Sequence, residues 1–249
     1  MTTNFFYAFP PLITGKLIKR YKRFFADIEL ETGEIITAHC PNTGPMTGVS
    51  TSGSLVQVSQ SNNPKRKLKY TWETIQVNQT WVGINTALPN KIIKIMLEKR
   101  IFFKELGNYQ YIYSEVAYGK ENKSRIDFLL TSDDPLDKPI YLEVKNTTWT
   151  DGEVAVFPDT VTTRGQKHLQ DLMNLLPYAQ PIMLYFINRS DCTDFAPGDQ
   201  TDPLYGKLFR EAVARGILVL PCRFEVTFEG IRYLGLADYL LYQPSFKLL

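Results

Sequence analysis

Residues 124–130 read SRIDFLL and residues 139–146 read PIYLEVKN, two apolar runs that are separated by a short polar break. Both runs are rich in strand-forming residues, and each contains one acidic residue, Asp127 in the first and Glu143 in the second. Successive side chains of a strand point to opposite faces, so Glu143 and Lys145 share one face while their apolar neighbours point into a core. This pair of predicted strands decides both the fold and the candidate site.

If the two strands pair as neighbours, Asp127 lies beside Glu143 and Lys145 on one surface of the sheet. Two carboxylates and an ammonium group there can hold a divalent cation, Mg²⁺ or Mn²⁺, and the water that it activates. As a third carboxylate we prefer Glu115 on the preceding strand, and Glu98 on the helix before it is the alternative. The four candidate catalytic residues are therefore Asp127, Glu143, Lys145 and Glu115, of which the three carboxylates are candidate metal ligands. The competing interpretation of such an E-x-K pair is a surface ion pair.

The rest of the chain divides into two regions of different character. Residues 12–84 contain several short strand-like runs with turn signals and no long helix, which favours a small five-stranded OB-like barrel. Beyond it the pattern predicts a helix, three strands, a helix, a strand, a helix and a further strand, which gives a mixed sheet flanked by helices. We therefore expect an α+β or α/β protein with an OB-like nucleic-acid-binding domain over residues 1–84 and a second domain over residues 85–249.

Positive charge is concentrated in the first region, where nine basic and five acidic residues give residues 1–84 a local charge of +4. Such a basic stripe is typical of proteins that bind a phosphate backbone. The candidate nucleic-acid-binding residues in the two basic clusters are Lys16, Lys19, Arg20, Lys22, Arg23, Lys65, Arg66 and Lys67. Aromatic residues lie between them, and they are either core residues or stacking platforms for unpaired bases.

Two further segments carry candidate nucleic-acid contacts. Residues 39–48, HCPNTGPMTG, form a predicted structured loop in which Asn42 and Thr43 can contact phosphate. No second Cys/His pair stands at ligand spacing in the sequence, so a zinc site is not expected there. Arg125, two residues before Asp127 in the first acidic run, is a further candidate.

A predicted helix begins at Thr162 or Thr163. Four polar residues of this helix share one face at 100° per residue, and we expect that face to be a polar outer surface; they are Arg164, Lys167, His168 and Asp171. A solvated face is the default interpretation. The alternative is phosphate contact by Arg164, Gln166, Lys167 and His168 at the helix N-terminus, where free N–H groups and the helix dipole favour anions.

Composition excludes several classes of protein. No window approaches the roughly 18 uninterrupted apolar residues of a membrane span, and we find no signal peptide. Three scattered cysteines are too few for a disulfide framework. We therefore expect a cytoplasmic protein without a membrane partner.

Several blocks of the chain, taken together and in order, closely resemble the sugar fermentation stimulation protein A family. The blocks are RYKRF (20–24), HCPNTGPMTG (39–48), KRKLKYTWE (65–73), SRIDFLL (124–130), YLEVKN (141–146) and FPDTVTTRGQKHLQDL (157–172). The resemblance implies an N-terminal OB-like domain and a C-terminal PD-(D/E)XK nuclease-like domain, with the nuclease motif at Asp127, Glu143 and Lys145. This chain reads EVKNTTW where many members read EVKSVTL, a departure that leaves the acidic residues intact.

The resemblance further implies non-specific DNA binding and a regulatory role in sugar (maltose) metabolism. Three functions follow. The first is a DNA-binding protein with a Mg²⁺- or Mn²⁺-dependent nuclease site, and the second is a DNA-binding regulator without turnover on the same scaffold. The third is an interaction module with a vestigial site. DNA is the expected partner, and RNA stays open as an alternative substrate.

Overall fold

The computed structural model describes residues 5–119 and 124–244. After a two-residue strand, six strands form a sheet in the order β4-β3-β2-β5-β6-β7, which closes into a barrel because β4 also pairs with β6. The strands are β1 (Tyr7–Ala8), β2 (Leu12–Tyr21), β3 (Phe25–Leu30), β4 (Ile35–His39), β5 (Leu55–Gln60), β6 (Tyr70–Val77) and β7 (Thr80–Gly83). Fifteen buried side chains, with Trp72 among the largest, fill the barrel.

The second region begins with two helices and continues into a mixed sheet. The elements are α1 (Leu88–Glu98), α2 (Phe103–Leu106), β8 (Tyr111–Tyr118), β9 (Ser124–Thr131), β10 (Ile140–Thr147), β11 (Thr150–Asp151), β12 (Val154–Phe157), α3 (Thr163–Met173), β13 (Gln180–Ile187), β14 (Asp194–Pro197), α4 (Pro203–Ala214), β15 (Leu218–Val226), β16 (Gly230–Leu236) and β17 (Asp238–Tyr239). Seven strands form one sheet in the order β1-β16-β15-β13-β10-β9-β8, and four short strands form another in the order β11-β12-β14-β17.

Local sequence explains where the helices begin. The Thr162 side chain accepts a hydrogen bond from the Gly165 amide at 3.1 Å, so Thr162 is the cap of α3. Asp202 caps α4 by accepting from the Tyr205 amide at 3.0 Å. Pro residues occupy the first turns of α1 and α4, where their missing amide hydrogen is not needed.

The large sheet is covered on both faces. One apolar cluster contains α1 and the Leu142 and Val144 side chains of β10, and the other contains residues of α3 and α4. Leu142 is fully buried and Val144 is 9% exposed, as the alternation in β10 predicts. Each such side chain stabilises the fold by about 1.5–3 kcal/mol.

These observations confirm the predicted fold class, an OB-like barrel followed by a mixed sheet with helices. The boundary between residues 84 and 85 stays a prediction. The two predicted domain ranges, 1–84 and 85–249, also include the chain termini and residues 120–123, which lie outside the described residues. One feature was not foreseen. Strand β1, inside the region assigned to the barrel, pairs with β16 of the large sheet through Tyr7↔Ile231 and Ala8↔Gly230.

The barrel and the large sheet are joined directly at the end of β7. The amide of Gly83 donates to the Asn188 carbonyl at 3.0 Å, and the Asn188 side-chain amide donates to the Gly83 carbonyl at 3.1 Å. A Cβ at Gly83 would lie 2.2 Å from the Asn188 side chain, so this close approach requires glycine.

No helix within residues 5–119 and 124–244 is long and apolar enough to span a bilayer.

Candidate functional site

Strands β9 and β10 run side by side and then separate at the two acidic residues. They pair antiparallel through Ile140↔Leu130, Tyr141↔Leu129 and Leu142↔Phe128. The ladder ends at Leu142. Two residues further on, the backbone amide of Val144 donates to the Asp127 side chain, at 2.7 Å from Oδ2, instead of to a backbone carbonyl of β9. Asp127 and Glu143 thus lie next to each other at the point where the strands diverge, as the sequence predicts.

Asp127 is held by two donors and repelled by one neighbour. Its Oδ1 accepts a hydrogen bond from Asn90 Nδ2 of α1 at 2.8 Å. Burial, followed by the negative charge of Glu143, raises the pKa of Asp127 to about 6, although the bonds from Val144 and Asn90 and the charge of Lys145 oppose the shift. Burial and the neighbouring carboxylate therefore disfavour the charged form of Asp127 more than its donors favour it.

Glu143 is 3% exposed and has one oxygen satisfied and one free. Its Oε1 lies 2.6 Å from Lys145 Nζ and also bonds Nδ1 of His168. Its Oε2 is buried and has no hydrogen-bond partner among the described residues. Burial favours a raised pKa for Glu143, but Lys145 and His168 outweigh it and lower the pKa.

His168 connects α3 to this carboxylate. Arg164 Nε donates to His168 Nε2 at 3.3 Å, so the ring hydrogen is assigned to Nδ1, which donates to Glu143. The ring is 5% exposed. The prediction that this face of α3 is a polar outer surface is therefore wrong for His168. The ring lies at the flank of the apolar stripe, where its bond to Glu143 of β10 and the packing of α3 on the sheet bury it.

The other polar residues of α3 are engaged away from Glu143. Lys167 Nζ bonds Ser124 and lies 2.7 Å from Asp171 Oδ2, which links α3 to the start of β9. Gln166 Nε2 donates to both oxygens of Asp202, at 2.9 and 3.0 Å, and so ties α3 to the cap of α4.

Two residues of the site escaped the sequence analysis. Asn90 stands in the first turn of α1 and is half-buried, and its sequence neighbours, Pro89 and Lys91, give no signal that singles it out. Tyr118 is 5% exposed and packs on the Tyr141 ring at 5.6 Å. Burial raises the pKa of the Tyr118 hydroxyl, and the charges of Glu143, Asp171 and Asp127 raise it further, which places this hydroxyl in the field of the acidic pair.

The structure does not bring either candidate third carboxylate to the pair. The Glu115 side chain is 56% exposed, and its Oε2 lies 3.8 Å from Arg125 Nη1. Glu115 has a φ of 57°, which turns it out of the regular strand, and Glu98 is exposed at the end of α1. Within the described ranges, no three His, Cys, Asp or Glu side chains converge as metal ligands.

The pair itself fits a hard divalent cation. Asp127 and Glu143 present carboxylate oxygens, which Mg²⁺, Mn²⁺ and Ca²⁺ prefer. The unpartnered Oε2 of Glu143 is available as a ligand. The pKa of Asp127 is raised first by burial and second by the charge of Glu143, and a bound cation would oppose both effects. Mg²⁺ is commonly bound through one or two carboxylates, with water and substrate oxygens as the other ligands.

The first basic cluster shapes the barrel loop as well as the surface. Arg20 Nη2 donates to the carbonyls of Asn42 at 2.9 Å and Gly44 at 2.8 Å. Arg23 Nε donates to the Thr43 carbonyl at 2.8 Å. Asn42 Oδ1 accepts from the Gly44 amide at 2.9 Å, so residues 39–48 form the structured loop that the sequence predicts.

The remaining candidate contacts are distributed over the barrel surface. Lys16, Lys19 and Lys22 are exposed on β2 and its hairpin turn. Lys65 and Lys67 are exposed in the loop before β6, whereas Arg66 is half-buried and donates to Thr71 Oγ1 at 3.0 Å.

An OB-like barrel joined to a mixed sheet that carries half-buried Asp127, buried Glu143 and Lys145 defines a two-domain class of protein. Comparison with known proteins identifies the family. Residues 18–84 match the SfsA N-terminal OB domain, and residues 87–230 match the sugar fermentation stimulation protein RE domain. The chain belongs to the sugar fermentation stimulation protein (SfsA) family.

Relatives match over nearly their whole length. A sugar fermentation stimulation protein homolog of Nostoc sp. is 67% identical over 242 residues, which cover 96% of this chain and 100% of the relative. One of Rippkaea orientalis is 68% identical over 240 residues, covering 96% and 99%. The structure of Pyrococcus furiosus SfsA in complex with Ca²⁺ has a TM-score of 0.84 at 23% identity and covers 95% of this chain and 99% of that chain. At that identity the likeness establishes the fold.

Proposed function

We propose that this protein binds DNA without sequence specificity and hydrolyses phosphodiesters at a divalent-metal-dependent site. The observation that carries the proposal is the pair of half-buried Asp127 and buried Glu143 with Lys145 beside it, on two strands that separate at that point. A surface ion pair does not account for it, because Glu143 is 3% exposed and has a free buried oxygen. The Ca²⁺ in the Pyrococcus furiosus relative supports a divalent metal in this family.

The chain's own residues have separate roles in this reaction. Asp127 and Glu143 would hold Mg²⁺ or Mn²⁺, which when bound polarises a phosphoryl oxygen and activates water. Asn90 and His168 orient the two carboxylates through their hydrogen bonds. Lys145 carries its ammonium group beside Glu143, where it orients the attacking water and stabilises the negative charge that develops on the phosphate.

The basic surface of the barrel holds the nucleic acid. Exposed lysines of the two clusters neutralise phosphates and release counterions, which gives affinity without sequence preference. Arg164 is exposed on α3 and donates to the His168 ring, which in turn bonds Glu143. RNA is the alternative substrate, and a cleavage assay that compares RNA with DNA distinguishes the two.

A second candidate function is a DNA-binding regulator without turnover. Lys145 and His168 both engage Oε1 of Glu143, and no third carboxylate joins the pair within the described ranges. The family name, sugar fermentation stimulation protein, is consistent with regulation of sugar metabolism. This candidate requires DNA binding but neither cleavage nor a metal effect that depends on Asp127.

The test is cleavage of labelled DNA and RNA, each single- and double-stranded, with Mg²⁺, Mn²⁺ or EDTA. The wild type should cleave at least one substrate only with metal, and Asp127→Asn and Glu143→Gln should not. Asp137→Asn is the matched control, since Asp137 is exposed in the loop between β9 and β10. Cleavage by Asp127→Asn at the wild-type rate would refute the assignment, and binding without cleavage would leave the regulator.

A further inference from the structure

A cleft of about 170 Å³ lies where the barrel meets the carboxyl end of β10. Asn42 and Gly44 of the barrel loop form one wall, and Thr147 and Trp149 at the end of β10 form the other. The rest of the lining comes from Asp159, in the segment that leads into α3, and from Thr86, Asn146, Thr148, Val156 and Phe157. The acidic pair and its chemistry do not use this cleft.

The barrel wall is fixed in place before any ligand binds. Arg20 donates to the carbonyls of Asn42 and Gly44 and so holds the loop in one conformation. The Thr47 amide donates to Asp159 Oδ2 at 3.3 Å, which connects the loop to the second domain. The cleft is therefore formed by both domains and does not depend on a closing movement.

The opposite wall is equally constrained. Arg189, which is 4% exposed, donates to the Thr148 carbonyl at 2.9 Å and pairs with Asp191. Asn146 Oδ1 accepts from Asn188 Nδ2 at 3.1 Å. These bonds fix the chain at the end of β10, immediately after Lys145.

One buried group in the cleft lacks a partner. Thr147 is 1% exposed, and its Oγ1 has no hydrogen-bond partner among the described residues. A buried hydroxyl in this state is costly unless a ligand or an ordered water satisfies it. Because Thr147 lines the cleft, a ligand there can provide the missing hydrogen bond.

The lining selects a flat, uncharged, polar ligand. Trp149 supplies an aromatic surface, while Asn42, Asn146 and Thr147 supply amide and hydroxyl groups. Asp159 is the charged residue of the lining, and its carboxylate disfavours phosphate. An aromatic surface with hydrogen-bonding groups around it is the chemistry that recognises an unstacked nucleobase.

The position of the cleft relates it to the acidic pair. Thr147 follows Lys145 by two residues and Glu143 by four, which is about 13 Å along an extended strand. A nucleic acid with a phosphate at the pair can therefore bring a nearby base to the cleft. In a duplex that base is stacked and paired, and it must be extruded before it can enter such a pocket.

We propose that this cleft binds one unpaired nucleobase and that the substrate is single-stranded nucleic acid or contains an extruded nucleotide. The inference rests on the proposed function, because it names the substrate class of the same site. Base stacking is tolerant of sequence, so the cleft is compatible with binding that lacks sequence specificity.

A binding experiment under conditions that prevent cleavage tests whether the cleft holds an unpaired base. The full-length Asp127→Asn protein is titrated in EDTA with a short fluorescein-labelled DNA, as a single strand and as the blunt duplex, at equal salt, and anisotropy is recorded. We expect the single strand to bind about tenfold more tightly. Thr147→Val and Trp149→Leu, each added to Asp127→Asn, should weaken single-strand binding about fivefold or more and leave duplex binding unchanged. Thr131→Val, at the far end of β9, is the matched control and should change neither.

Three results overturn the inference. Equal affinity for the two DNA forms refutes base binding in the cleft, and so does unchanged single-strand affinity in both Thr147→Val and Trp149→Leu. Either result leaves the nuclease proposal standing. Absence of binding to either form refutes the proposed function and the cleft together. Circular dichroism of the variants separates loss of binding from loss of fold, and Thr147→Val stays informative if Trp149→Leu does not fold.

Discussion

Asp127 Oδ2 accepts a hydrogen bond from the backbone amide of Val144 at 2.7 Å, at the position where the ladder between β9 and β10 ends. A side chain thus takes the place of a backbone carbonyl, which lets the strands diverge while the amide stays satisfied. The divergence leaves Asp127 and Glu143 adjacent and largely buried. The acidic pair is consequently part of how these two strands fold.

The charge of Asp127 should destabilise the metal-free protein as the pH rises. Burial and the charge of Glu143 raise its pKa to about 6, whereas an unfolded aspartate titrates near about 3.9. The folded state binds this proton more tightly than the unfolded state does. The stabilisation of the folded protein by protonated Asp127 is therefore complete below about pH 4 and is lost as the pH rises through about 6. In EDTA at pH 8, Asp127→Asn should raise the free energy of unfolding by up to about 3 kcal/mol.

Urea unfolding of wild type and Asp127→Asn at pH 4 and pH 8 measures this difference. Asp137→Asn, which changes an exposed aspartate, should follow the wild type at both pH values. An Asp127→Asn protein that is less stable than wild type at pH 8 would show that the carboxylate is favourably paired.

His168 should act through Glu143, since its Nδ1–H donates to Oε1. In His168→Phe the buried carboxylate loses a donor, which should cost about 1–3 kcal/mol of stability and weaken Mn²⁺ binding about 10–100-fold. His168→Asn keeps an N–H near the position of Nδ1 and should recover part of both. Thermal unfolding and Mn²⁺ titration measure the two effects. If His168→Phe and His168→Asn have the same stability and the same Mn²⁺ affinity, the result argues against an orienting hydrogen bond.

Glu115→Gln should leave Mn²⁺ affinity at the wild-type value. The Glu115 side chain is 56% exposed and is directed to Arg125 rather than to Asp127. Glu143→Gln, tested in parallel, should lower the affinity at least tenfold. If Glu115→Gln weakens Mn²⁺ binding as strongly, the strand edge rearranges on metal binding and Glu115 is the third ligand after all.

Two basic residues of the barrel should differ in their effect on DNA binding. Lys22 is exposed at a hairpin turn, so Lys22→Gln should reduce the slope of log affinity against log salt by about 0.9 for duplex DNA if it contacts one phosphate. Arg20→Lys should instead lower stability, because a lysine cannot hold both the Asn42 and Gly44 carbonyls in the same way. Titrations at several salt concentrations, together with thermal unfolding, distinguish the two. A salt-independent affinity would refute phosphate contact altogether.

Local patterns were sufficient to predict much of this architecture. Alternation in residues 139–146 predicted that Leu142 and Val144 of β10 point into a core, although it did not predict the burial of Glu143, and Thr162 or Thr163 predicted the start of α3. Each of these features depends on neighbours in sequence, which is why a single sequence reveals it.

The missed features depend on distant parts of the chain. The pairing of β1 with β16 joins residues more than two hundred positions apart, and the small sheet of β11, β12, β14 and β17 is built from strands of two to four residues. Asn90 reaches Asp127 only because α1 packs on the sheet face formed by β9, β10 and their neighbours. His168 was assigned to solvent because helical periodicity locates an apolar stripe but not the width of surface that a neighbouring sheet covers.

The most direct measurement is titration of Mg²⁺ and Mn²⁺ into wild type and the Asp127→Asn/Glu143→Gln double variant with a short DNA present, followed by a gel of the same samples. The proposal predicts metal binding and cleaved DNA for the wild type, and neither for the double variant. DNA that stays bound and intact, with metal binding unchanged by the two substitutions, would contradict it and indicate a DNA-binding regulator on this fold.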